Sequence, residues 1–249
     1  LLLNISLLRN KMTVYLKYLL KVNIPVIILA ICLPLYFGLG ITTLYGFLIT
    51  YIFSYVIGYN FVHRSICHGQ FKLKEPFYFI IGYLSLFVML SDPLNYSKGH
   101  RYHHKHSDTD LDLHSPKTGK FNSFIGWMWS KDTPTVNIMI VKDLLKNKSC
   151  MFLATHQFKL IWGTLFLSSL VSVQFTIGIL LCMCLSFILE MASNAWFQHD
   201  TNGVKNNITY AWATLGSYHV DHHNIPSKIE NRDPGKLLID FFKFIKIAN

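Results

Sequence analysis

Residues 24–59 read IPVIILAICLPLYFGLGITTLYGFLITYIFSYVIGY, an apolar run without a single charged side chain. The hydrocarbon core of a bilayer is about 30 Å thick and takes roughly 20 helical residues to cross. With its flanks, the run is long enough for two crossings, and Gly38 to Thr43 supplies the turn between them. A second block of the same kind extends from Met151 to Phe197, where Lys159 and Glu190 are the sole charges. It fits a second hairpin, turning near Ser172 to Thr176. A third apolar run, Pro76 to Leu90, is short for one crossing and is expected at the membrane surface.

The composition agrees. Of 249 residues, 51% are hydrophobic and 14% charged, against about 25% charged in a soluble domain. The expected fold is an all-α integral membrane protein, a single domain over 1–249. Four transmembrane helices are expected at about 22–41, 43–62, 156–174 and 176–196. A loop over 63–150 and a tail over 197–249 form a helical cap.

None of the 23 Lys and Arg residues falls in either turn, so the positive-inside rule places both termini, the loop and the tail in the cytoplasm. The net charge of +10 is this topological signal, together with attraction to anionic headgroups or an acidic partner. Charges so scattered on a lipid-anchored chain argue against nucleic acid as a partner. The sequons at Asn4, Asn95, Asn147 and Asn207 would face the cytoplasm and stay unglycosylated. The five cysteines have no metal-pair spacing and read as small buried hydrophobes. The leading LLLNISLLRNKM has no small-residue cleavage site after an apolar run, so a cleaved signal peptide is not expected.

Histidine is the outlier in so apolar a chain. Nine of the twelve fall into four groups: HRSICH (His63, His68), HRYHH (His100, His103, His104), His199 in NAWFQHD, and HVDHH (His219, His222, His223). Residues at i, i+3 and i+4 of a helix lie on one face, so each His-x-x-His-His group is expected to aim three imidazoles at one point. His63 and His68 are five apart, about 140° around a helix, and converge on one point if a second cluster approaches from the side or if the helix loosens there. The topology brings all nine to one membrane face. Nine imidazoles exceed one coordination sphere and divide naturally between two ions. Imidazole suits zinc, copper, iron and nickel, and the His-Glu-x-x-His of hydrolytic zinc helices is absent. Two redox-active metals at a membrane surface point to iron and dioxygen. Asp108, Asp110 and Asp112 are placed to accept hydrogen bonds from the outer nitrogens of such ligands. His106, His114 and His156 fall outside the pattern.

These boxes resemble those of the membrane-bound fatty acid desaturases, and within that family the acyl-CoA (stearoyl, Δ9-type) branch. HRSICHGQFK, GHRYHHKHSDTDLDLHSP, the final HVDHH and the 32-residue step from His68 to His100 carry the resemblance. It implies a diiron centre held by the nine histidines, with O2 as co-substrate. It also implies a cytochrome b5 or ferredoxin-type electron donor, a fatty acyl-CoA or acyl-lipid substrate, and an endoplasmic reticulum or equivalent membrane. Tyr96, Lys98 and Lys131 sit where relatives contact the acyl carrier. Three features depart from the family pattern. Asn194, whose counterpart holds a metal-bound water, is one residue further from His199 than in relatives. The last box lacks an acidic lead-in, reading Leu215-Gly-Ser-Tyr-His, which is closer to acyl-lipid or sphingolipid desaturases. The chain is short, without a fused electron-donor domain. A diiron hydroxylase of lipids or alkanes would share the same boxes. A metal carrier would instead place ligands along the spans, which carry almost none.

Overall fold

The computed structural model describes residues 14–249; the leading segment and the Asn4 sequon lie outside the described residues. Among the described residues, besides four short 3₁₀ turns between 116 and 146, ten helices follow in order: α1 (Val14–Phe37), α2 (Ile41–Cys67), α3 (Phe77–Val88), α4 (Pro93–His106), α5 (Lys120–Phe124), α6 (Lys148–Val171), α7 (Val173–Phe197), α8 (Ile208–Thr214), α9 (His219–Asn224) and α10 (Pro234–Phe244). A two-residue antiparallel ladder, β1 (His199–Asp200) with β2 (Gly203–Val204), interrupts them after α7.

Both expected hairpins are present. Gly38 ends α1 at φ +70°, a conformation glycine adopts without a Cβ penalty, and its N–H donates to Pro34 O at 2.8 Å. The second turn falls at Ser172, whose hydroxyl accepts from Phe175 N and caps α7. Gln174 ties the two turns together, its amide donating to the carbonyls of Phe37 and Gly38 while its oxygen accepts from Thr43 Oγ1 at 2.5 Å. Below that tie α2 and α7 nearly touch. A Cβ on Gly46 would lie 2.2 Å from Phe175 O, and one on Gly178 would lie 2.1 Å from Thr43 O. Small residues at such crossings let helices gain contact where lipid offers no hydrophobic drive.

Among the described residues, α1, α2 and α7 are long and apolar enough to cross a membrane. Their outer surfaces expose Leu35, Tyr36, Leu39 and Phe53, and Val171 at the second turn is 89% exposed. The helix over the third expected span, α6, runs 24 residues. It differs from the expectation in polarity, since His156, Gln157 and Lys159 keep it out of that apolar class. A further candidate is the pair α3 and α4, which qualifies only as one span bent by 73°.

Asp92 sits at that bend, fully buried. It accepts from Leu94 N and Asn95 N to cap α4, and from Gln157 Nε2 of α6 at 2.7 Å. Burying a carboxylate without such partners would cost several kcal/mol, so Asp92 makes one arrangement of α3, α4 and α6 strongly preferred. The described sequon asparagines are likewise engaged: Asn95 with Asp92, and Asn147 and Asn207 as caps of α6 and α8.

Two apolar clusters fill the interior. One joins α1, α6 and α7 through Val22, Val26, Ile161, Leu180 and Met183. The other seats the end of α2 on α4 and α10 through Phe61, Val62, Leu94 and Ile239. Gly178→Val should force α2 and α7 apart, a destabilisation of about 1–3 kcal/mol or more. The melting temperature in detergent should fall, while Gly163→Ala, at a position with open space around it, should leave it unchanged or raise it.

Candidate metal centre

The first histidine group lies at the end of α2, which is α-helical over Ile41–Thr50 and π-helical over Tyr51–Tyr59. Residues Val62–Cys67 form a π-helix, and the His68 N–H reaches back five residues to His63 O at 3.2 Å. In an α-helix at about 100° per residue, positions five apart point roughly 140° away from each other. The wider π turn brings them onto one side, and the two rings stand 5.1 Å apart. Such insertions are frequent at functional sites. A further π-helix, Ser193–Phe197, closes α7 with Gln198 N bonded to Ser193 O, again five residues back. It contains Asn194 and ends two residues before His199.

Nine histidines from α2, α4, β1 and α9 converge as two adjacent clusters. His63, His68, His100, His104 and His222 form one; His103, His199, His219 and His223 form the other. Within each, the candidate ligand atoms lie within 4.8 Å of one another. The expectation that each His-x-x-His-His group serves one point is corrected. HRYHH sends His100 and His104 to the first cluster and His103 to the second. HVDHH sends His219 and His223 to the second and His222 to the first. The reason is angular: i and i+4 differ by about 40°, whereas i+3 falls about 60° to the other side of i. Two helices meeting across the boundary therefore exchange their middle histidines. The stacked rings of His104 and His223, 4.1 Å apart, mark that boundary.

The donor geometry suits metal ions. Nε2 atoms of His63 and His222 are 2.8 Å apart, those of His63 and His100 2.9 Å, and those of His100 and His104 3.1 Å. In the second cluster the corresponding gaps are 3.3 Å for His103 and His199, 2.8 Å for His199 and His219, and 3.1 Å for His219 and His223. Metal–imidazole bonds of about 2.1 Å put neighbouring donors about 3.0 Å apart at right angles. Hydrogen bonding alone cannot explain the second cluster. His103 Nδ1 faces Asp112 Oδ1 at 2.8 Å and His199 Nδ1 faces Asp108 at 3.3 Å, so both outer nitrogens carry the proton. Their inner nitrogens are then bare lone pairs aimed at each other, an arrangement a cation relieves. In the first cluster, His68 Nε2 is buried without a hydrogen-bond partner among the described residues.

The charge states agree. Burial first, then neighbouring imidazoles, holds His219 and His222 well below the usual imidazole range. Burial, aided by nearby arginines, brings His68 to about 3, and His223 is lowered to about 2. Neutral imidazole is the ligating form. Burial alone would raise the Asp112 carboxyl, but the adjacent His103 ring outweighs it and the carboxyl stays below its ordinary range.

Of the aspartates, Asp112 organises its loop, accepting from His103, from His114 N and from Asp108 N. Asp108 takes a left-handed backbone, φ +58°, to reach His199. Asp110 does not join them: it is exposed at the loop tip, because residues alternating along a turn cannot all face inward. Asn194 lines a cavity beside both clusters, with Tyr59, Tyr96, Trp127, Glu190 and Met191. Tyr96 stacks on His100 at 5.2 Å. Lys98 and Lys131 are not brought to this cavity; Lys98 is half-buried near Tyr15, and Lys131 is exposed. His114 lies closer to the centre than its spacing suggested, 4.4 Å from the His103 ring. His106 rests on Tyr102, and His156, half-buried on α6, stacks on Phe152.

Sequence reasoning overlooked the arginine that follows the first histidine of two boxes. Arg101 forks onto Asp143 at 2.6 and 2.9 Å and donates to Cys67 O and Ile66 O, pinning α4 to the end of α2. Arg64, fully buried, pairs with Asp233, whose other oxygen accepts from Tyr218 N just ahead of α9. The repeated His-Arg pair was the available signal.

The family model for fatty acid desaturase matches residues 40–229. The chain is 29% identical over 233 residues to an acyl-CoA Delta12-desaturase of Acheta domesticus, covering 83% of this chain and 64% of that protein. It is 25% identical over 245 residues to Delta-9 acyl-lipid desaturase 2 of Arabidopsis thaliana, with 88% and 77% covered. Against stearoyl-CoA desaturase 5 of Bos taurus the identity is 24% over 217 residues, with 75% and 64% covered. The chain thus spans just under two thirds of the length of the Acheta and Bos proteins.

Asp112→Asn should weaken metal retention about 10–100-fold, as loss of a ligand's hydrogen-bond partner does elsewhere. Asp110→Asn should change nothing. Metal content per chain, measured against a graded chelator, separates the two.

Proposed function

The chain belongs to the fatty acid desaturase family, and from that premise we propose that it is an O2-dependent fatty acyl desaturase. It introduces a cis double bond into a saturated acyl chain carried as an acyl-CoA or an acyl-lipid. The observation that carries this reading is the five-and-four convergence of the nine histidines beside a partly apolar cavity.

His63, His68, His100, His104 and His222 would hold one iron ion, and His103, His199, His219 and His223 the other. Two irons supply the power to break an unactivated C–H bond, which no side chain has. Two hydrogens from the acyl chain and two electrons from a cytochrome b5 or ferredoxin-type donor, with two protons, reduce O2 to two waters.

The protein's own part is to bind, orient and exclude water. Leu90, Leu113, Trp127 and Met191 offer an apolar wall for a methylene chain. A smaller, nearly wholly apolar cavity shares Tyr15, Leu90, Trp127 and Met191 with the first and adds Met89, Met128 and Phe187. The chain is directed from the histidines into that space, where few polar groups compete. Tyr96, held between Tyr59 and the His100 ring, is an aromatic side chain on the cavity wall beside the histidines. The Asp108 and Asp112 carboxylates fix the tautomers of His199 and His103, so that bare Nε2 atoms face inward. The site faces the cytoplasm, as the distribution of Lys and Arg favours, and the family resemblance points to a membrane of the endoplasmic reticulum type.

Expression in a desaturase-deficient yeast, with fatty acids resolved by gas chromatography, tests the reading. A new monoenoic acid is the expected product, and a hydroxy acid would instead identify a hydroxylase with the same metal site. His103→Ala should remove the product below detection, whereas His156→Ala, outside both clusters, should retain it.

A further inference from the structure

Helix α2 presents an aromatic ring at every fourth position from Phe47 through Tyr51, Tyr55 and Tyr59 to His63. Successive ring centroids are 6.4, 5.5, 5.7 and 6.1 Å apart, with interplanar angles of 3°, 29°, 9° and 17°. The stack ends on a histidine of the first cluster. Beside it lies Glu190, the sole carboxylate of α7. Its Oε1 accepts from Tyr55 Oη at 2.6 Å and from Tyr210 Oη at 3.0 Å, and its Oε2 accepts from Tyr59 Oη at 2.5 Å.

Packing does not call for this arrangement. Phenylalanine would stack as well as tyrosine, and an ionisable group in a membrane-crossing helix is expensive and marks function. What the carboxylate adds is a proton acceptor in hydrogen-bond reach of two neighbouring phenols, one on each oxygen. Glu190 and Tyr59 border the cavity assigned to the acyl chain, but neither its apolar wall nor the metal ligation described above uses the hydrogen bonds between them.

We propose that Tyr59 and Tyr55, bridged by Glu190, are an electron relay that protects the histidine cluster. The proposal rests on reading that cluster as a redox metal site. It acts when O2 has oxidised the metals and no acyl C–H bond is in reach. Tyr59 then gives one electron to the oxidised metal site through the stacked His63 ring. Its Oη–H bond breaks, and the proton forms an O–H bond on Glu190 Oε2. The metal site is reduced by one electron and Tyr59 becomes a neutral phenoxyl radical. In a second step Tyr55 passes an electron to Tyr59 and its proton to Oε1, while the proton on Oε2 returns to Tyr59. Glu190 still holds one proton, and the radical stands one ring further from the ligands.

The test uses purified full-length protein loaded with iron, reduced chemically, and exposed to O2 without substrate. Elemental analysis comes first. A chain that holds no metal overturns both the site reading and this proposal. In loaded wild-type protein, frozen-solution electron paramagnetic resonance should show a tyrosyl radical. Tyr59→Phe and Glu190→Gln should lose most of that signal while keeping their metal, and mass spectrometry should find added oxidation at His63 and His100. Tyr96→Phe, which removes a hydrogen bond to Tyr59 but lies off the stack, should keep the signal. Loaded wild-type protein without a tyrosyl signal, or Tyr59→Phe with an undiminished one, would overturn the relay alone.

Discussion

Imidazole lone pairs repel when they are gathered in a buried space, and the fold is arranged to gather nine imidazoles. Inner nitrogens lie 2.8 to 3.3 Å apart, and the two whose outer nitrogens are committed to carboxylates, those of His103 and His199, face each other as lone pairs that positive charge would relieve. The surrounding structure must therefore hold the rings in place before any charge arrives. Three devices do so. Two π-helical turns re-aim residues five apart. Arg101 clamps α4 to the end of α2, and Arg64 with Asp233 clamps the start of α9 to the same end. Asp112 folds an irregular loop back onto His103.

The clamps can act because the helices beneath them are rigid. Gln174 links the hairpin turns at one end of α2 and α7, and the glycine contacts at Gly46 and Gly178 fix how closely the helices run. The histidines lie at the opposite end of the same two helices. Backbone packing in the apolar layer thereby sets a spacing that side chains in the cap could not hold alone. The same rigidity keeps Glu190 of α7 against Tyr55 and Tyr59 of α2, where a small shift would leave a buried carboxylate without donors.

The two clusters are not equivalent. The second has carboxylates behind His103 and His199, which raise the basicity of those rings. The first has five imidazoles, and the outer nitrogens of His104 and His222 are buried without a partner among the described residues. It is also the cluster on which the tyrosine stack ends. One cluster is thus the better supplied with negative charge, and the other with aromatic neighbours.

Much of this was legible from residue order. Apolar runs state their own length, so the hairpins and their turns could be read directly, and the recurring His-x-x-His-His spacing singled out the histidines, because periodicity is a local property of a helix. Spacing could not reveal the fold's long-range choices. Where a helix widens to a π turn, which histidine of each box crosses to the other cluster, that Asp108 and Asp112 reach inward while Asp110 does not, and that Glu190 meets three phenols all depend on partners far along the chain. The sequence by itself determined that apolar helices would carry clustered imidazoles. Only the tertiary structure decided how those imidazoles divide, because the direction of a side chain is set by the helix packed against it as well as by its own.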